Sequence, residues 1–179
     1  MFAVTRFRAT GEDGVALAAA VAPLLAALGA RVTGIAQSGG TRHGFPVVTA
    51  DDLPTLLPSA DLLINILPAL ESTSRIVDAA VLALLPAHAW LINVGRGSTV
   101  DEAALLTALR DGRLAGAALD VFETEPLPPG SGLWDEPNVL ITPHAAGGRP
   151  LGAADRIRSN YEALLAGRPL SHVVQAPGN

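Results

Sequence analysis

The amino-acid sequence predicts an α/β fold, a doubly wound parallel sheet. Three observations lead there. Helical and strand-like patterns alternate from Val15 to about Val121. The strand-like runs are apolar almost throughout, as strands covered on both faces are. The crossovers are long enough to hold helices, so successive strands run parallel in right-handed βαβ units.

Taken in order, Leu17, Val21, Leu24 and Leu28 fall on one helical face, and Gly29 sits where a C-cap ends it. Residues 31–36 read as a short buried strand and residues 37–40 as a loop. A short helix around Leu53 to Leu57 leads into the apolar run Asp61 to Leu67. Thr73 to Leu85 reads as helix and Ala89 to Val94 as strand. Thr99 and Glu102 have capping-box spacing ahead of a helix that runs through Leu105 and Leu109 to Gly112. Ala115 to Val121 and Val139 to Thr142 complete the strands, and Leu151 to Leu165 is the last helix. The expected domain covers residues 1–170, with an atypical start over 1–14 and a tail over 171–179.

Composition narrows the function. The 179 residues are 49% hydrophobic, only 16% are charged, and mean hydropathy is +0.37, so the chain can bury a core. A net charge of -5 argues against a nucleic-acid surface. All 12 basic residues are Arg, which reads as composition bias. Cysteine is absent, which rules out disulfides and thiolate chemistry; no metal site is expected. The apolar stretch Val15 to Leu28 contains Pro23 and is shorter than the roughly 20 residues a bilayer helix needs. The charges Arg6, Arg8, Glu12 and Asp13 do not form a secretory signal, so a cytoplasmic protein is expected.

In wound sheets ligands sit at the carboxyl ends of the strands, and three segments carry chemistry there. In Asn93-Val94-Gly95-Arg96-Gly97-Ser98 two glycines let the backbone turn tightly and aim the Arg96 guanidinium, whose fork of donors suits a carboxylate. Such an Arg otherwise pairs with a surface acid. In Asp120-Val121-Phe122-Glu123-Thr124-Glu125-Pro126, Asp120 ends an apolar strand, where an Asp also caps turns, and Pro126 restricts the backbone of Glu125. In Thr142-Pro143-His144, a His follows a buried strand. A His–carboxylate pair is what proton transfer near neutral pH needs. Singly each has a structural reading; together, Arg96, Glu125 and His144 supply an anion clamp, an orienting acid and a proton donor. That set suits reduction of a 2-oxo acid. His43, His88 and His172 read as surface histidines.

These segments, with Thr99-Val100-Asp101-Glu102, Leu114 to Phe122 and Glu125-Pro126-Leu127, resemble the D-2-hydroxyacid dehydrogenases. Pro126-Leu127-Pro128 and Leu133-Trp134 resemble the glyoxylate/hydroxypyruvate reductase branch, and the likeness covers roughly Leu24 to Val174. It implies a Rossmann-like NAD(P)-binding domain with Arg96, Glu125 and His144 as the catalytic set. Asp120 matches a residue near the nicotinamide carboxamide. Leu67, Pro68 and Val94, with Gly95, Arg96 and His144, match positions lining the cofactor. The resemblance also implies a small 2-oxo or 2-hydroxy acid substrate and a homodimer, with Trp134 either in an interface arm or anchoring its own loop.

The sequence departs from that pattern at its start. The family's G-x-G-x-x-G should fall at 13, 15 and 18, where this chain has Asp13, Val15 and Ala18; Gly11 and Gly14 are out of register. Glu12 and Asp13 place negative charge where a diphosphate sits. Phe2 to Arg8 reads as a poor buried strand, so the first strand and glycine loop are expected to be degraded. After the second strand, Ala36 takes the place of the NAD-selecting acid. This favours NADP over NAD, with Arg42 as a partner for the 2′-phosphate. The usual Thr-Pro and Arg-Gly elements are missing around Leu70 to Arg75. The family's N-terminal substrate domain is expected to be absent, and a truncated or frame-altered product is one reading. The alternative to an oxidoreductase is a non-catalytic remnant that dimerises or regulates. A methyltransferase of similar fold leaves the Arg96, Glu125 and His144 set unexplained.

Overall fold

A computed structural model describes residues 2–6, 12–147 and 152–171. Arg8, Gly11, Gly148 and His172, and the tail beyond residue 171, lie outside the described residues. The chain divides into two compact units, one up to residue 146 and one from residue 147.

The first unit is built on eight strands: β1 Phe2–Arg6, β2 Arg31–Ile35, β3 Gly40–Arg42, β4 Phe45–Val48, β5 Leu62–Asn65, β6 Trp90–Asn93, β7 Gly116–Leu119 and β8 Val139–Ile141. Their spatial order is β3-β4-β2-β1-β5-β6-β7-β8. Every neighbouring pair is parallel except β3 with β4. The winding direction reverses at β1, with β2 on one side and β5 on the other, and the crevice of a wound sheet opens at such a reversal. This is the Rossmann-like α/β sheet that the alternating pattern predicts.

Period-two alternation covers both faces. Leu63 of β5 and Leu91 of β6 join a core with Leu57, Leu82, Leu105 and Leu109. Ile64 and Ile92 point the other way, toward Ala22, Val21 and Leu25 of the helix α1, Glu12–Ala27. The remaining helices are α2 Leu53–Leu56, α3 Ala79–Ala83 and α4 Glu102–Arg110. The second unit holds α5, Ala153–Leu165, where the side chain of Asn160 bonds both backbone and hydroxyl of Ser171.

Several expectations are corrected. The run from Phe2 is interrupted by Arg6, yet it supplies β1, which pairs with β2 and β5. The α1 face is rotated: Ala22 is buried, while Leu24 and Leu28 are 67% and 85% exposed. Leucine spacing points away from the true interface because the buried stripe includes a small residue. Gly29 does end the helix, at φ +87.

Residues 37–40 are not all loop, since Gly40 begins β3 and a tight reversal through His43 (φ +50) and Gly44 (φ +83) leads to β4. The helix expected over 73–85 contracts to α3, capped by Asp78, whose carboxylate accepts the Val81 N–H at 2.9 Å. Arg75 takes φ +45, and Arg75 and Val77 donate backbone N–H groups to Ser98 and Thr99. That pairing with 98–101 takes the segment out of a helix. The capping box is also displaced. Asp101 is the N-cap of α4 and accepts the Ala104 N–H at 2.9 Å. Thr99 faces inward instead, and Glu102 reaches a different loop.

Candidate active site

Because β5, β6, β7 and β8 run parallel, the segments that follow them emerge on one edge of the sheet. Leu67 and Pro68 follow β5, Val94, Gly95 and Arg96 follow β6, Asp120 follows β7, and His144 follows β8. Ala36, buried and donating its N–H to Val48, follows β2 on the same edge.

A buried polar network builds the floor. Asn65 and Asn93 end β5 and β6 in direct register. Asn65 Nδ2 donates to Asn93 Oδ1 at 3.1 Å and to Thr99 Oγ1 at 2.6 Å. Asn93 Nδ2 and Thr99 Oγ1 both donate to the Arg96 carbonyl. Leu67 and Gly95 donate backbone N–H groups to Asn65 Oδ1 and Asn93 Oδ1. A buried network satisfied this fully rigidifies what it holds, here the backbone of Arg96. Asn65 is not marked by any of the three chemistry-bearing segments; the sequence signal for it is an Asn closing each of two successive apolar strands.

The backbone turns tightly at Gly97–Thr99, as expected, but neither Gly95 nor Gly97 takes a left-handed φ. They are glycines because backbone presses on backbone. A Cβ on Gly95 would lie 2.6 Å from the Leu67 N and O atoms, and one on Gly97 would lie 1.8 Å from the Phe122 carbonyl carbon. The Arg96 loop is thus wedged against the loops after β5 and β7. The exposed Arg96 guanidinium donates from Nη1 to the Gly95 carbonyl at 2.8 Å.

The structure brings Glu125 and His144 together. His144 Nδ1 lies 2.7 Å from Glu125 Oε2, and Glu125 Oε1 accepts the Phe122 N–H at 3.1 Å. The hydrogen bond from His144 holds the Glu125 carboxyl below the ordinary glutamate range; against the opposing effect of burial, the Phe122 N–H and the charges of His144 and Arg96 act in the same direction. His144 takes φ +52 and donates its backbone N–H to the Asp120 carbonyl at 2.8 Å. A non-glycine residue there is uncommon and persists only when its surroundings impose it.

Asp120 imposes it. Its carboxylate, 3% exposed, accepts the Thr142 hydroxyl, the Ala145 N–H at 2.8 Å and the Ala146 N–H at 2.9 Å. Burial alone would raise the Asp120 carboxyl, but these three bonds and the His144 charge outweigh it, so it sits below the ordinary aspartate value. The consequence for stability has a definite sign. A carboxyl lowered by folding contributes stability that is fully present above its unfolded value and is lost as pH falls through its native value. Urea midpoints measured downward from neutral pH should fall over that acid window. In Asp120→Asn they should start lower and depend less on pH; an unchanged pH dependence would exclude Asp120 as the source.

Among the described residues, His43 and His88 stay apart from this edge. His88 Nε2 pairs with Asp61 Oδ1 at 3.2 Å, and His43 lies in the β3–β4 turn. Trp134 is half-exposed and anchors its own loop by donating from Nε1 to the Pro128 carbonyl at 3.0 Å. Among the described residues no cluster of His, Asp or Glu could hold a metal ion, and no helix is long and apolar enough to cross a membrane.

The profile of a family described as D-isomer specific 2-hydroxyacid dehydrogenase, NAD binding domain, matches residues 15–146. The chain belongs to this family. A glyoxylate/hydroxypyruvate reductase A from Salmonella newport is 40% identical over 157 residues, covering 80% of this chain and 50% of the relative. The chain thus spans about half the length of the curated relatives it matches. A D-isomer specific 2-hydroxyacid dehydrogenase from Xanthobacter autotrophicus Py2, solved with NADPH and MES, superposes with a TM-score of 0.81 at 40% identity, covering 96% of this chain and 70% of that one. An NADPH-dependent glyoxylate/hydroxypyruvate reductase from Sinorhizobium meliloti, solved with NADP and sulfate, gives a TM-score of 0.82 at 36% identity, covering 97% of this chain and 55% of that one.

Two places on this edge carry residues that could hold a dinucleotide. After β2 there is no carboxylate at Ala36, Gln37 or Ser38. Arg42 Nη2 instead donates to the Ser38 carbonyl at 3.1 Å and hydroxyl at 2.8 Å, which sets a cation beside that strand end. Further along the edge, Asp120 and the close-packed Gly95 follow the strands that also carry Arg96, Glu125 and His144. The middle departs from the family pattern. The positions for glycine, Asp13, Val15 and Ala18, all lie within α1, and the segment 7–11 is outside the described residues.

Proposed function

We propose that this chain carries the nucleotide-binding domain and proton-transfer residues of an NAD(P)-dependent oxidoreductase that reduces a small 2-oxo acid such as glyoxylate or hydroxypyruvate. The observation that carries this reading is the 2.7 Å His144–Glu125 pair on the strand edge where Arg96 also emerges. Bound nicotinamide supplies the hydride. Glu125 orients the imidazole through Nδ1, which leaves Nε2 to give a proton to the carbonyl oxygen. Arg96 holds the substrate carboxylate or polarises the ketone. Ala36, Leu67, Pro68, Val94, Gly95 and Asp120 are the proposed lining of the cofactor crevice. The domain runs to about residue 170, with 171–179 as its tail. A cytoplasmic homodimer is the accompanying proposal, supported by the family's habit of pairing through nucleotide domains.

Arg42 makes NADP the favoured cofactor, since its guanidinium suits the 2′-phosphate. NADPH at 100 times its Kd should stabilise the chain by about 2.7 kcal/mol, raising Tm by several degrees, roughly 2–4 °C per kcal/mol for this size. NADH should act more weakly, and Arg42→Ala should remove the difference between the two. A second reading has an observation of its own. Glu12 and Asp13 at the start of α1, with no glycine at 13, 15 or 18, suit a Rossmann-like module that no longer binds the diphosphate. Differential scanning fluorimetry separates the two: no shift with either nucleotide at millimolar concentration rejects the first reading and supports the second.

A further inference from the structure

We propose that Glu102 is a positioning residue for the Glu125–His144 pair, acting by fixing the turn from Asp120 to Glu125. Glu102 opens α4, and its Oε1 accepts the backbone N–H of Glu123 across the gap between two loops. The preceding amide, Phe122 N–H, is the one that holds Glu125 Oε1. Gly97 presses on the peptide between those amides, with the position of a Cβ only 1.9 Å from the Phe122 oxygen and 2.5 Å from the Glu123 nitrogen. The Glu123 side chain pairs with Arg75, whose Nε lies 3.4 Å from Glu123 Oε1, and Arg75 donates its N–H to the Ser98 carbonyl. The turn is thus gripped at its backbone by Glu102, at one face by Gly97 and at its side chain by Arg75. Of these, the Glu102 bond is made directly to the amide adjacent to the one that holds Glu125.

The charged groups around each carboxylate are few. Glu102 faces Glu123; Glu125 faces His144 and Arg96. Burial raises the Glu102 carboxyl, and the neighbouring Glu123 charge adds to this against the effect of the Glu123 N–H. A different role, negative charge stabilising the start of a helix, is open to any acid at that position; reaching Glu123 needs the full length of Glu.

The proposal rests on the proton-transfer reading of the pair, but its test needs neither nucleotide nor substrate. The Glu125 carboxyl of the full chain is titrated by 13C NMR, its signal assigned by loss in Glu125→Gln, and Glu123 amide exchange is followed alongside. Glu102→Asp keeps the charge at the helix start and shortens the reach. Glu102→Ala removes both, and Glu102→Gln keeps the acceptor. The expected result is an upward shift of the Glu125 titration in the Asp and Ala variants and none upward in Gln. Glu123 exchange should be about tenfold faster in Glu102→Ala, the loss of one charge-assisted bond. A Glu125 titration unmoved in folded Glu102→Asp overturns the proposal, even if Glu102→Ala fails to fold. Absence of an NADPH-induced Tm shift would strike the functional reading and leave this one standing.

Discussion

Gly97→Ala should leave the chain unable to fold cooperatively, or lower its Tm by at least about 10 °C. The added methyl would lie 1.8 Å from the Phe122 carbonyl carbon, 1.9 Å from its oxygen and 2.5 Å from Glu123 N. All three are backbone atoms, so no side chain can swing aside. The strand ends must separate, and the Asn65, Asn93 and Thr99 network that anchors this loop must distort with them. A cost above about 4 kcal/mol belongs to such clashes, against a total stability of about 5–15 kcal/mol for a typical protein. Gly130→Ala is the matched control, because nothing lies within 4 Å of its added Cβ. Thermal melts followed by circular dichroism decide it: equal Tm values for the two variants would refute the close-packing account of the Arg96 loop.

His144→Ala should reduce the rate of glyoxylate or hydroxypyruvate reduction by about 10²–10⁴, the usual worth of a positioned general acid. The Asp120 bonds to Ala145 and Ala146 involve backbone rather than the imidazole, so the variant should fold. The nucleotide-dependent Tm shift should persist while turnover is lost. The pH dependence has a fixed sign. The acid must hold its proton before it can give it, so reduction slows as rising pH removes that proton. An undiminished rate in the variant, or a flat profile from acid to alkaline pH, would remove His144 from the chemistry.

The two loops named in these predictions differ in how far the sequence reveals them. Arg96, Glu125 and His144 each follow an apolar run, and a parallel sheet carries all such positions to one edge, so that shared edge is legible in the sequence. The reason for Gly97 was not. Its neighbour across the contact is Phe122, 25 residues away in sequence, and only the approach of β6 to β7 excludes a side chain. Glu102 shows a further limit. Its spacing from Thr99 reads as a local capping box, whereas both side chains serve partners distant in the chain, Asn65 for Thr99 and Glu123 for Glu102. Local spacing cannot distinguish a residue that caps its own helix from one that reaches out of it.

Helix faces divided in the same manner. Periodicity located α1 and its end at Gly29, but which face was covered depended on the sheet, which took Ala22 and left Leu24 and Leu28 exposed. The helix expected over 73–85 was shortened for a similar reason, when residues 75–77 found hydrogen-bond partners in 98–101. By itself, then, the sequence determined the alternation of elements, the parallel sheet and the edge where the reactive groups emerge. Hydrophobic period and chain direction are properties of short segments, and they suffice for that much. The distances within the Glu125–His144 pair, the amides that hold it and the glycines that admit it were decided by tertiary structure. Each depends on backbone from separate strands meeting within a few ångströms, which no single segment encodes.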